Sequence, residues 1–238
     1  MPLNSVRAPR SDDGRSEAQR SGTPFESLLI ATGNSGKLRE FRELLAGLPF
    51  VITAQGDLGI PSPEETGSTF LENALLKARH AAAAGGAAAI ADDSGLEVDA
   101  LGGAPGIYSA RYAGAQADDA ANNAKLLAAL RAVGAPPWRA RYRCALVFVE
   151  GPGDTAPLIA EGVWEGCIVE LPRGKGGFGY DPYFFLPELQ MTAAELDPAD
   201  KNRRSHRGAA MRALRDLLAA RELPAPELPA RVRAVPRP

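Results

Sequence analysis

The sequence predicts an α/β protein built on a mixed β-sheet, and three observations carry that prediction. Strand-like and helix-like segments are interleaved between residues 27 and 221. The stretch "SLLIATGNSGKLREFRELLAG" passes from an apolar run through a glycine turn into apolar residues at helical spacing. "WRARYRCALVFVE" and "PLIAEGVWEGCIVE" alternate apolar and polar residues like two antiparallel neighbours.

Taken in order, Leu28 to Ala31 form a first strand, and Leu38, Phe41, Leu44 and Leu45 mark the helix after the turn. "FVITAQ" is a second short strand. "STFLENALLKARHAAAAGG" is a helix that Ser68 or Thr69 caps, with Glu72 placed three residues after Thr69 as a capping box requires. Gly85 and Gly86 stop it. "AAAIADDSGLEV" reads as a strand opening into an acidic turn at Asp92 and Asp93. "ADDAANNAKLLAALRAVG" is a helix whose apolar stripe is Leu126, Leu127 and Leu130. "SHRGAAMRALRDLLAARE" closes the chain's ordered part, with Ser205 as its cap and Met211, Leu214, Leu217 and Leu218 facing inward. Residues 1–26 and 222–238, polar or punctuated by proline, are expected to be flexible extensions of one domain spanning 27–221.

A chain of 238 residues with 45% hydrophobic and 24% charged content can bury a substantial core. A formal net charge of −2 gives no overall basic field, which argues against a protein that coats nucleic acid. Cys144 and Cys167 form neither a C-x-x-C pattern nor a disulfide framework, so a reducing cytoplasm is the expected setting. No stretch reaches the roughly 18 to 20 apolar residues that span a bilayer, and the polar N-terminus lacks a secretory leader's apolar run.

Several segments carry chemistry. "TGNSGK", Thr32 to Lys37, offers backbone N–H groups and a helix start suited to a phosphate, and equally suits a plain tight turn with a solvated lysine. It is not a Walker A loop, since only two residues separate Gly33 from Gly36 and Leu38 stands where Ser or Thr is required. Asn73, Lys77 and His80 share one helix face, which reads from spacing alone as an ordinary solvent face. Glu64 and Glu65 precede that helix, where acids favour its positive end. Asp92 and Asp93 suit a hard cation, or a base for an attacking water, or simply a turn. In "GKGGFGYDPYFF", Phe178 is placed to stack on a planar base while Tyr183, Phe184 and Phe185 enter the core. "DKNRRSHRG" is the most basic short segment, able to meet a phosphate or a keto oxygen, or to stay solvated.

In this order, "ATGNSGKLRE", "EETGSTFLENALLKARHAA", "IADDSGLEVDALGGAPGIYSARYAG", "GGFGYDP" and "SHRGAA" resemble the non-canonical purine nucleoside triphosphate pyrophosphatases, the inosine/xanthosine triphosphate house-cleaning enzymes. The resemblance covers Ser27 to Arg221. It implies an elongated, two-lobed mixed sheet with flanking helices and a central substrate cleft, assembled as a homodimer. It further implies Mg²⁺-dependent hydrolysis of ITP, dITP and XTP to the monophosphate and pyrophosphate. Matched by motif, Thr32, Gly33, Asn34, Ser35, Gly36 and Lys37 cradle the triphosphate, and Lys77 joins them. Asp93 takes the proton-acceptor position and holds metal, Glu64 matches a second metal position beside Glu65, and Ser94 touches substrate. Phe178, Gly179, Tyr180 and Asp181 hold the base, and Lys201, His206 and Arg207 complete the pocket. Hypoxanthine and xanthine carry a 6-keto group where adenine has an amino group, so a donor from His206, Arg207 or a backbone amide would favour them. A non-catalytic nucleotide sensor would keep the lysines but would have lost Asp93 or Glu64, and a pyrophosphatase of modified pyrimidine triphosphates would differ in the base it accepts.

Overall fold

The computed structural model describes residues 27–46 and 50–222; the expected extension over 1–26, and all of 222–238 beyond its first residue, lie outside them. Seven strands build the sheet: β1 (Ser27–Ile30), β2 (Val51–Ala54), β3 (Ala88–Val98), β4 (Trp138–Val149), β5 (Leu158–Ile168), β6 (Phe184–Leu186) and β7 (Met191–Thr192). The sheet is open and mixed, in the order β2-β1-β3-β4-β5-β6-β7. β1 runs parallel to both of its neighbours, and every later pair is antiparallel. Five helices flank it: α1 (Ser35–Leu44), α2 (Phe70–Gly85), α3 (Asp119–Val133), α4 (Pro198–Arg204) and α5 (His206–Glu222).

The long strands β3, β4 and β5 carry two groups of core residues, which gives the molecule its two lobes. One group joins the first half of β3 and the second half of β4. There Ile90, Leu146 and Phe148 pack with Phe41 of α1 and with Met211 and Leu214 of α5. On the opposite face of the same strands, Ala74, Ala78, Ala81 and Ala82 of α2 lie on Ala89, Ala91 and Val147. Small side chains on both surfaces let α2 sit close to the sheet. The second group joins the far halves, with Leu96, Val98, Tyr142 and Trp164 packed under Leu126, Leu127 and Leu130 of α3. The N-terminus of α5 presses on β5 at Gly162, where any Cβ would overlap the backbone of His206. No described helix is long and apolar enough to cross a membrane.

Caps hold as the sequence suggests, with one shift. Thr69 Oγ1 accepts from Glu72 N–H at 3.1 Å, while the Glu72 carboxylate accepts from Ser68 N–H, one residue before the cap, at 2.6 Å. Gly86, at φ 63°, ends α2. Three expectations need correction. Asp92 and Asp93 do not lie in a turn: β3 continues through them, in register with Leu146 and Ala145 of β4, because the β4 ladder takes their backbone groups and basic side chains take their carboxylates. α4 was not expected; Asp197 caps it, accepting from Asp200 N–H at 2.9 Å, and Pro198 occupies its first position. Leu217 is 38% exposed, since it falls one residue off the stripe of Met211, Leu214 and Leu218.

Candidate active site

Between the two lobes lies a cleft of about 390 Å³, a size suited to a nucleotide-scale ligand. Its first wall is the junction of β1 and α1. Thr32 Oγ1 accepts from Asn34 N–H at 3.1 Å, and Asn34 Oδ1 caps α1 by accepting from Lys37 N–H at 3.0 Å. Helix starts leave further N–H groups without intrahelical partners, so this loop can receive an anion. Lys37 Nζ rests 3.0 Å from Asp92 Oδ2.

The second wall is α2, and here the face expected to meet solvent turns inward. Asn73 is fully buried; its Oδ1 accepts from Gly67 N–H at 2.8 Å and its Nδ2 donates to Asp93 at 3.3 Å. Lys77 Nζ reaches Asp93 at 2.8 Å and Glu65 at 3.0 Å. Glu65 also accepts from Arg111 at 2.5 Å. His80 stays outside, with Nε2 2.9 Å from Pro61 O.

A buried charge network forms the floor. Arg207, 1% exposed, donates to Asp92 at 2.9 Å, to Ser94 Oγ at 2.9 Å and to Glu40. Its Nε adds a bond to Asp92 at 3.3 Å, so four of its five donors are engaged. Lys201 bridges Glu40 at 2.8 Å and Asp181 at 2.6 Å. Asp181 also accepts from Phe178 N–H at 2.8 Å and from Tyr142 Oη at 3.3 Å, so its carboxylate braces the loop from inside. The Phe178 ring lies over Lys201 Nζ, 4.8 Å from centroid to nitrogen. His206 stacks on Tyr142 with ring centroids 4.7 Å apart, and its Nδ1 has no partner among the described residues.

The two adjacent aspartates are driven apart. Burial would raise Asp92, but Lys37 and Arg207 hold its carboxyl far below the usual range. At Asp93 burial wins over Lys77 and Lys37, and its pKa is raised. Burial, then Arg207 and Lys201, push His206 well below its ordinary value, so its imidazole is neutral. One acid is thus a fixed anion that anchors cations, and the other is the better proton acceptor.

Of the residues expected at the site, Thr32, Gly33, Asn34, Lys37, Lys77, Asp93 and Ser94 line the cleft. Phe178, Gly179, Tyr180, Asp181, Lys201, His206 and Arg207 do so as well. Ser35 is exposed and Gly36 is buried beneath the Phe178 ring, so neither side of that pair lines it. Glu64 is exposed and does not line the cleft, whereas its neighbour Glu65 does. Arg111, Glu40, Asn73, Tyr142 and Asp119 belong to the site or its support without having been marked as such. Glu40, three residues after Lys37, has the spacing of an ordinary surface pair, and nothing in the spacing singles out Arg111.

The model of the Ham1 family matches residues 28–217. The dITP/XTP pyrophosphatase of Thioalkalivibrio sulfidiphilus (strain HL-EbGR7) is 58% identical over 194 residues, covering 82% of this chain and 99% of that protein. A protein of the same name from Methylococcus capsulatus (strain ATCC 33009 / NCIMB 11132 / Bath) is 58% identical over 193 residues, covering 81% of this chain and 96% of its own. The solved structure of a HAM1 protein from Coxiella burnetii is similar with a TM-score of 0.75 at 50% identity, covering 82% and 98% of the two chains. That of the Staphylococcus aureus Ham1 protein gives a TM-score of 0.72 at 38% identity, covering 82% and 100%.

Proposed function

Because the chain belongs to the Ham1 family, we propose that it hydrolyses ITP, dITP and XTP to the nucleoside monophosphate and pyrophosphate, clearing non-canonical purines from the nucleotide pool. The observation that carries this reading is the split pair of aspartates. Asp93, with a raised pKa, lies 2.8 Å from Lys77 at the edge of the cleft, while Asp92 secures the cationic floor. The names of its relatives, dITP/XTP pyrophosphatase, support the substrate class.

The triphosphate sits on the Thr32–Lys37 loop, with Lys37 and Lys77 on either side. Phe178 stacks on the base, and neutral His206 is placed to meet its edge. Asp93 takes the proton of the attacking water, and positioning and charge supply the rest of the rate, as in other phosphoryl transfers. Glu65, rather than Glu64, is the acid that joins Asp93 in this scheme.

Magnesium fits the donor set. Asp93 and Glu65 converge on one ammonium. No described group of three or more His, Cys, Asp or Glu forms an all-protein cage. Mg²⁺ is commonly held by one or two carboxylates together with substrate phosphates and waters. There is also a charge argument. Lys37, Lys77, Arg111, Lys201 and Arg207 each already have a carboxylate partner, so a triphosphate needs positive charge brought with it. When bound, the ion supplies that charge and acidifies a water.

The same reading places the protein in the cytoplasm as a homodimer, which sedimentation at twice the 25.0 kDa chain mass checks. The function itself is tested by pyrophosphate release from ITP, XTP, dITP, GTP, ATP and dUTP, with Mg²⁺ and with EDTA. Metal-dependent release confined to the inosine and xanthosine nucleotides is expected. Equal turnover of ATP and GTP would remove the base selectivity, and no release from any would remove the enzyme.

A further inference from the structure

The loop that faces the base is a tight turn: Asp181 N–H donates to Phe178 O at 3.3 Å, and Gly179 stands second with φ 63°. The central peptide of such a turn joins Gly179 to Tyr180, and it is the unit whose flip distinguishes one turn type from its partner. α3 grips Gly179 from both ends. Asp119 accepts from Gly179 N–H at 2.7 Å, and Asn123 Nδ2 donates to Gly179 O at 2.9 Å. The same Nδ2 donates to Asp119 O at 2.8 Å, while Asn123 Oδ1 has no partner among the described residues. With carbonyl oxygens on both bonds, the amide serves here as a donor only.

Asn123 does not line the cleft; it lies behind the loop, in a separate groove with Pro182 and Tyr183. A planar trans peptide points its C=O and N–H in opposite directions. Drawing Gly179 O toward that groove therefore turns Tyr180 N–H the other way, toward the cleft that Tyr180 lines. The N–H groups of Phe178, Gly179 and Asp181 are already engaged, and Tyr180 N–H has no partner among the described residues. Arg207, meanwhile, spends four donors inside the protein.

We propose that Asn123 is a specificity-determining positioning residue: by holding Gly179 O it presents the Tyr180 N–H as a donor to a 6-keto base. With the peptide flipped, a carbonyl would face the ligand and accept from a 6-amino group instead. This inference rests on the proposed purine substrate, yet it concerns how the base is read rather than the hydrolysis.

The test compares the unaltered chain with Asn123→Ala and Asn123→Asp. Calorimetry gives the affinities for IMP and AMP, and for inorganic tripolyphosphate, which has no base. The preference for IMP over AMP falls by about tenfold in Asn123→Ala. It falls further in Asn123→Asp, whose carboxylate cannot donate to Gly179 O and instead draws the Tyr180 N–H toward α3. Tripolyphosphate binds both variants within about twofold of the unaltered chain, which also shows that they fold. A packing role gives the opposite order, because Asp matches Asn in shape better than Ala does. An unchanged IMP preference in Asn123→Ala overturns the proposal, as does a parallel loss of all three ligands. Should Asn123→Asp not fold, the alanine variant decides alone. Since the readout is binding, a chain that releases no pyrophosphate yet shows this order loses the hydrolytic reading and keeps this one.

Discussion

Lys37 and Lys77, the two lysines proposed to bind the triphosphate, are held differently. Lys37 lies in the first turn of α1 and its ammonium pairs with Asp92, whereas that of Lys77 is shared between Asp93 and Glu65. Lys37→Ala is therefore expected to raise KM for ITP by about tenfold, the loss of one charge-assisted contact, with a smaller change in kcat. Steady-state kinetics at saturating Mg²⁺ check it, and an unchanged KM would remove Lys37 from the phosphate site. Glu65→Gln should raise the Mg²⁺ concentration needed for half-maximal rate, while Glu64→Gln leaves it unchanged; a metal titration of both variants checks this. At this scale the sequence was informative for most side chains that face the cleft from a glycine-rich or acidic motif, Arg111 and Glu65 excepted. It was silent where a residue acts from beneath. Glu40 and Asn73 sit at ordinary helical spacings, and only the tertiary fold turns them toward Lys201 and Asp93. The choice between Glu64 and Glu65 likewise depends on which way a loop turns before α2.

Among the elements, α2 is the one that couples packing to chemistry. Its alanines hold it against β3, and that close approach brings Asn73 and Lys77 to Asp93. Thr69→Ala removes the bond to Glu72 N–H and should cost about 1 kcal/mol. Thermal unfolding would show a fall of a few degrees, with activity at low temperature retained; a larger loss of activity than of stability would place the cap in the site. Alternation and helical periodicity marked most of the strands and helices, because half-buried surfaces impose those periods. β3 was misread as ending at its acids, since carboxylates in a strand look like a turn until their buried cationic partners are known. α4 was missed because a seven-residue helix full of charges leaves no apolar stripe. The short strands β6 and β7 carry no period of their own; β6 forms by pairing with β5, and β7 by pairing with β6.

For the whole molecule, buried charge sets the pH range over which the fold holds. Burial raises the Glu40 carboxyl but Arg207 and Lys201 outweigh it, so its folded pKa is lowered, as is that of Asp92. A lowered carboxyl adds stability above its unfolded pKa and loses it as pH falls through the folded value. His206, held neutral by burial, Arg207 and Lys201, also opposes acid, because below 6.5 the unfolded chain gains a proton that the folded one refuses. Asp93 and Asp181, whose carboxyls burial raises, act in the opposite sense. The decline expected from about pH 6 downward is carried by His206 and the lowered pair, and urea midpoints measured from pH 7 to pH 4 check it. A flat profile would mean that the network is exchanged for solvent without loss. Glu40→Gln leaves Lys201 and Arg207 short of one partner and should cost about 3 kcal/mol or more at neutral pH, read from the same midpoints. The floor of the cleft and the stability of the two lobes thus share one set of charges. Above that floor, the central claim is that Asp93 performs the proton transfer while its neighbours only bind. One measurement tests it most directly: pyrophosphate release from ITP by Asp93→Asn beside the unaltered chain, with ITP affinity measured for both. Turnover should fall by at least about a hundredfold, with ITP affinity in the absence of metal changed only a few fold. Turnover near that of the unaltered chain would contradict it.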